Sequence, residues 1–216
     1  MNRLARLVRP SFADDAERLL LVLLHGIGSD EADLYYAAEG IDERYMIVSL
    51  RAPIAFEAGG YAWFSLGWDE SGIRYDAAEA RNSLQLLSTE LRTLSEENRI
   101  PARRLIVGGF SQGAIMSLAA LLNDPTSVGG ALLMSGAVVP ELLPEHPLDS
   151  AKTPVLVQHG VYDPVLPVAQ GRAIRDLLSA HGYSPDYREY PMAHQVSMES
   201  LRDAQEWLER VLGFDF

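Results

Sequence analysis

Residues 104–122 read RLIVGGFSQGAIMSLAALL, and this stretch decides how the rest of the chain is read. A short apolar strand, Leu105–Gly108, runs into Gly109-Phe110-Ser111-Gln112-Gly113 and then into a segment, Ser111–Leu122, that is apolar nearly all round. A strand that turns sharply through G-x-S-x-G into a buried helix projects its serine above the end of a sheet. The flanking glycines let the backbone pass close by without Cβ clashes. The helix N-terminus behind Ser111 offers amide donors and a positive dipole end to a developing oxyanion. The pentapeptide alone is a weak signal, and a lone serine there also reads as a helix N-cap.

Outward from this core the pattern repeats. Leu19–Leu24, Met46–Leu50, Ala131–Met134 and Val155–Gln158 are apolar runs without alternation, each followed by glycine, proline or polar residues. Such runs suit strands buried on both faces of a parallel sheet. Tyr187–Tyr190 is a weaker last strand, and Leu4–Val8 reads as an extra edge strand. Helical spacing covers Tyr75–Asn98, Val168–Ala180 and Ser197–Leu212, the last through Leu201, Ala204, Trp207, Leu208 and Val211. Alternating strands and helices imply an α/β fold: a doubly wound, mostly parallel sheet with helices on both faces. Its working site is expected at the carboxyl ends of the strands.

Composition narrows the chemistry. The 216 residues suffice for one domain, taken as 1–216, with a core that needs no staple. Cysteine is absent, which excludes disulfides, thiol nucleophiles and thiolate metal sites. The net charge of −12 argues against nucleic acid as a partner. The longest uninterrupted apolar run, Leu19–Leu24, is far short of the about 20 residues a membrane helix needs. No secretory, lipidation or retention signal is legible at either end, so a cytoplasmic location is expected. Gly26-x-Gly28 is part of a dinucleotide fingerprint, but Glu31 occupies the third small position and Asp30 adds charge where a pyrophosphate would sit. No phosphate-binding G-x-x-x-x-G-K-[ST] and no His/Cys/Glu ligand cluster occurs, so neither metal nor cofactor is expected.

A serine nucleophile needs a base, and in this architecture acid and then histidine follow it along the chain. Among His146, His159, His181 and His194, only His194 stands in a loop after a late strand and before the last helix. His159 reads as a packed, hydrogen-bonded residue, His146 lies in a proline-rich surface loop, and His181 stands at a helix end. Asp163, a few residues beyond Val155–Gln158, is placed to orient the imidazole. Taken alone it equally reads as a turn residue ahead of Pro164. The turn Leu24-His25-Gly26-Ile27-Gly28 follows the first central strand, where a second oxyanion donor belongs. The Ile27 amide is therefore expected to pair with that of Gln112, with His25 holding the loop. Tyr61, Trp63, Phe64, Leu66 and Trp68 cluster in a segment whose glycines predict a flexible, irregular loop. Trp63, Phe64, Leu66 and Trp68 are expected to wall an acyl site; the alternative is that they cap the core.

With these residues placed, the chain resembles the phospholipase/carboxylesterase group of α/β-hydrolases, which includes bacterial carboxylesterases and acyl-protein thioesterases. The resemblance rests on LHGIG (24–28), RAP (51–53), AWF (62–64), GGFSQGA (108–114), SG (135–136), HGVYDPVLP (159–167) and YPMAHQV (190–196), in the family's order. It implies an α/β-hydrolase fold without a large cap domain. It also implies a Ser111–His194–Asp163 triad with Ile27 and Gln112 as oxyanion donors, and homodimers among some members. Ser29 and Ser65 stand where thioesterase-like members often carry aspartate. These departures favour a carboxylesterase of short- to medium-chain esters, with a thioesterase or lysophospholipase as the alternative. A non-catalytic binding protein of the same fold is the more distant one.

Overall fold

The computed structural model describes residues 3–14, 17–69, 72–145 and 153–211. In chain order the strands and helices are β1 (Arg6–Arg9), β2 (Leu19–Leu24), α1 (Ala32–Ala37), β3 (Tyr45–Leu50), β4 (Ile54–Ala55), β5 (Tyr61–Ala62), β6 (Leu66–Asp69) and β7 (Gly72–Tyr75). There follow α2 (Ala77–Asn98), β8 (Leu105–Phe110), α3 (Gln112–Asn123), β9 (Gly130–Met134), β10 (Val155–Gly160), α4 (Ala169–Ala180), β11 (Asp186–Tyr190) and α5 (Met198–Val211).

Seven strands form one sheet in the order β1-β3-β2-β8-β9-β10-β11. All neighbours are parallel except β1, which runs antiparallel to β3 with Arg6 opposite Leu50. The apolar runs divide their side chains between the two faces with period two. Leu20, Val22, Leu24, Val107 and Leu133 join α2, α3 and α4 in one core layer. Leu19, Leu21, Leu23, Ile106 and Leu132 join α1 and α5 in the other. A strand covered on both faces has no use for polar residues, which is why these runs do not alternate.

Three expectations need adjustment. The edge strand at the N-terminus is Arg6–Arg9, shifted from Leu4–Val8. Its Arg9 guanidinium donates to the carbonyls of Ala38 and Ile41 at the end of α1, so polar residues help to place this edge. Helix α2 begins at Ala77 and not at Tyr75, because the Asp76 carboxylate accepts from the Ala78 and Glu79 amides and Tyr75 belongs to β7. Such a cap contributes about 1 kcal/mol. The glycine-rich segment read as an irregular loop instead contains two antiparallel pairs, β4–β5 and β6–β7, the latter with Asp69 opposite Gly72. Strands of two to four residues carry too few apolar positions to show a period.

Among the described residues no helix is long and apolar enough to cross a membrane.

Candidate active site

The end of β8 makes the turn that the sequence announced. Ser111 sits at φ 54° and ψ −117°, between β8 and α3. A non-glycine residue held there costs roughly 1–3 kcal/mol and persists only because its surroundings over-determine it. A Cβ on Gly109 would lie 2.3 Å from the Gly113 carbonyl carbon, and one on Gly113 would lie 1.9 Å from the Leu24 carbonyl oxygen. Glycine is therefore required on both sides of the serine. The Ser111 side chain makes no helix-capping hydrogen bond, so the N-cap reading is not realised.

Its hydroxyl instead lies 2.9 Å from Nε2 of His194. The other ring nitrogen, Nδ1, is 2.7 Å from Oδ2 of Asp163. An ionised carboxylate only accepts, so Nδ1 carries the proton and Nε2 is left to accept from the serine. The Asp163 carboxylate contacts both the turn that follows it and the imidazole. Its Oδ1 accepts from the Val165 and Leu166 amides at 2.9 and 2.8 Å, as a turn aspartate does, while Oδ2 serves the imidazole. A carboxylate has two oxygens, so the two roles coexist.

The loops that carry Asp163 and His194 are tied together. The Val161 amide donates to the Tyr190 carbonyl and the Tyr162 amide to the Met192 carbonyl. His159 is fully buried, with Nε2 2.7 Å from the Leu166 carbonyl oxygen, which fixes the turn after Asp163. His181 lies at the C-terminal end of α4; His146 is outside the described residues.

Parallel pairing of β2 with β8 sets Leu24 beside Gly109, so the turn 25–28 runs alongside residues 110–112. Among the described residues the Ile27 and Gln112 amides have no hydrogen-bond acceptor, and both residues line the same cavity as Ser111 and His194. His25 braces this turn. Its Nδ1 lies 2.7 Å from the Gly26 carbonyl oxygen, its Nε2 accepts from the Ala52 amide at 3.0 Å, and its own carbonyl accepts from the Trp63 indole. Burial lowers the His25 pKa below the ordinary 6.5, because a charged ring would lose its hydration there.

That shift has a measurable sign. The folded protein holds His25 neutral while the unfolded chain binds a proton below pH about 6.5. Its contribution to stability is complete above that pH and is lost as pH falls toward the lowered native value. Urea unfolding between pH 5 and 7.5 is expected to show wild type losing more stability on acidification than His25→Gln. Parallel slopes would mean that His25 is not the group responsible.

The cavity over Ser111 has a volume of about 330 Å³. Its apolar wall comes from Phe64 and Leu66, from Phe110 and Ile115, from Ala137, Val138 and Val139 after β9, and from Val165 and Leu166 after Asp163. Phe64 and Leu66, two of the four residues expected to wall an acyl site, line this cavity. Trp63 does not: it is fully buried, and its indole is committed to the His25 carbonyl. The Gln112 side chain explains the arrangement, accepting from the Trp63 amide and donating to the Phe64 carbonyl, so that the segment is pinned at the helix start. Trp68 belongs to β6, but its side chain lies outside the described residues.

Ile115 carries a readable signal, four residues after Ser111 on the same helix face. Val138, Val139, Val165 and Leu166 carry none, since they arrive through the adjacency of β8, β9 and β10. Beside the site, Arg51 grips Glu31 with two hydrogen bonds of 2.5 Å and stacks over the Tyr61 ring, which neutralises one of the acidic residues after the Gly28 turn. Among the described residues no three His, Asp or Glu side chains converge as metal ligands.

Known proteins share this architecture and sequence. The carboxylesterase of Bacillus cereus superposes with a TM-score of 0.82 over 96% of this chain and 94% of its own, at 20% identity, a likeness of fold. Acyl-protein thioesterase 1 of Gibberella zeae is 30% identical over 98% of this chain and 97% of its own. Acyl-protein thioesterase 1 of Kluyveromyces lactis is 28% identical over 94% and 95%. The family model described as phospholipase/carboxylesterase matches residues 11–212, and the chain belongs to that family.

Proposed function

We propose that this protein hydrolyses short- to medium-chain carboxylic esters through an acyl-enzyme on Ser111. One observation carries the reading: a serine hydroxyl, an imidazole and a carboxylate in hydrogen-bonded series, at 2.9 and 2.7 Å, opening into an apolar cavity. The Ser111 oxygen attacks the acyl carbon while Nε2 of His194 takes its proton. The carbonyl oxygen becomes an oxyanion and accepts from the Ile27 and Gln112 amides, donors typically worth about 10²–10³ each in rate. Asp163 stabilises the imidazolium. Collapse breaks the bond to the alcohol oxygen, which receives the proton from Nε2. Water then attacks the acyl-enzyme by the same steps, releasing acid and serine, and is the only co-reactant consumed.

At about 330 Å³ the cavity is at the small end of the range for ligand pockets, about 300–1,000 Å³, which favours compact acyl groups. Across p-nitrophenyl esters from acetate to palmitate, kcat/KM is expected to peak at butyrate to octanoate. Ile115→Phe, which places a larger side chain in the wall, is expected to shift the peak shorter by about two carbons. A palmitate optimum, or a profile indifferent to Ile115, would refute the acyl assignment.

A second reading, hydrolysis of thioesters, is favoured by the two fungal relatives named acyl-protein thioesterase 1. Oxygen ester and thioester pass through one acyl-enzyme, so the choice rests on the leaving group. Parallel kinetics of butyrate esters and thioesters with matched leaving groups decide it.

A further inference from the structure

A second groove, of about 400 Å³, adjoins the acyl cavity, and Phe110 and His194 line both. The two rings stand 4.8 Å apart, centroid to centroid, and form the partition between the two spaces. The groove's remaining wall comes from α1 and from the start of α5. Leu34, Val196 and Leu201 give it an apolar floor, and Met198, 77% exposed, stands at its rim.

Asp33 also lines this groove. Among the described residues no cation pairs with its carboxylate or with that of Asp30 beside it, whereas Glu31 is neutralised by Arg51. The wall is therefore apolar at its base and carries uncompensated negative charge at one side.

We propose that this groove is the leaving-group subsite and that it selects alcohols bearing a cationic head on an apolar body. The inference rests on the reading of Ser111 as nucleophile. In that mechanism the departing oxygen receives its proton from Nε2 of His194, so the bond being broken points at the imidazole. The acyl chain occupies one side of the ring, and the rest of the leaving group extends along the other. There it meets the apolar floor first and Asp33 beyond it. A quaternary ammonium on a short carbon chain satisfies both, since its methyl groups tolerate apolar contact while its charge is attracted by the carboxylate.

The test compares butyrylcholine with its neutral isostere, 3,3-dimethylbutyl butyrate, and with ethyl butyrate, each rate normalised to alkaline hydrolysis. At low ionic strength the cationic ester is expected to exceed its isostere in kcat/KM by about fivefold, the upper range for an exposed charge pair. The preference should disappear near 1 M salt, where screening acts within about 3 Å. Asp33→Asn is expected to bring the ratio close to one by lowering kcat/KM for the cationic ester. Met198→Lys, which places a positive charge at the exposed rim, is expected to invert it. A wild-type ratio of one, or a ratio that either variant leaves unchanged, overturns the proposal. Ethyl butyrate separates the two levels: if its hydrolysis does not depend on Ser111, the reading of the active site fails, whatever the groove does.

Discussion

Ser111→Ala is expected to lower kcat/KM for p-nitrophenyl butyrate by about 10⁴–10⁶, with no loss of thermal stability. The size follows from what is removed. Without Oγ no acyl-enzyme forms, and what remains is binding plus the Ile27 and Gln112 amides polarising a carbonyl toward water. Stability is spared because the Ser111 side chain makes no capping bond, and its amide, which donates to the Met134 carbonyl at 2.9 Å, survives the substitution. His194→Ala is expected to fall by a similar factor, and the double variant by no more than either alone, since in the proposed mechanism serine and imidazole act as one unit. Turnover within tenfold of wild type in Ser111→Ala would remove the serine from the mechanism. Additive losses would break the coupling between the two side chains.

Gly113→Ala is expected to be among the most damaging single-methyl changes at the described residues. The added Cβ would lie 1.9 Å from the Leu24 carbonyl oxygen and 2.9 Å from that of His25. These are backbone atoms at the end of β2, whose register with β8 is held on both sides by the sheet. Relief requires α3 to move away from β2, and that movement carries Ser111 and the Gln112 amide with it. A cost of about 4 kcal/mol or more is expected, a fall of roughly 8–16 °C in Tm for a chain of this size, or failure to accumulate as folded protein. Gly108→Ala is the control. It is equally buried, but its nearest contact would be the Leu132 Cβ at 3.3 Å, which asks for a shift of only a few tenths of an ångström, so it should cost under about 2 kcal/mol. Equal melting temperatures for the two variants would refute the steric account.

Much of the architecture was legible because burial on both faces of a sheet leaves a strong mark. Leu19–Leu24 and Leu105–Phe110 contain no charged residue because each face meets a layer of helices. The outer strands were faint for the complementary reason. β11 lies at the sheet edge, and its Arg188 and Glu189 pair with Asp203 and Arg172 on the flanking helices, so its pattern is polar. The hairpins of residues 54–75 were not legible at all. Their strands are two to four residues long, too short for a period, and their glycines suggested irregularity.

The candidate site divides along the same line. Sequence alone pointed to the strand–turn–helix at Ser111 and to Asp163 and His194, the two side chains that the structure brings into hydrogen-bonded series with it. A tight turn demands glycines at defined positions, and strand ends announce themselves by a change from apolar to polar residues. Which of two adjacent aromatic residues faces the cavity was decided only by tertiary structure. Gln112, reaching from the start of α3, grips the backbone at Trp63 and Phe64, leaving the indole in the core and the Phe64 ring at the cavity. The remaining wall has the same origin. Val138 and Leu166 are distant from Ser111 in sequence and come beside it because β8, β9 and β10 are adjacent in the sheet. Strand order is set by packing across the whole core, so no local segment of the chain encodes it.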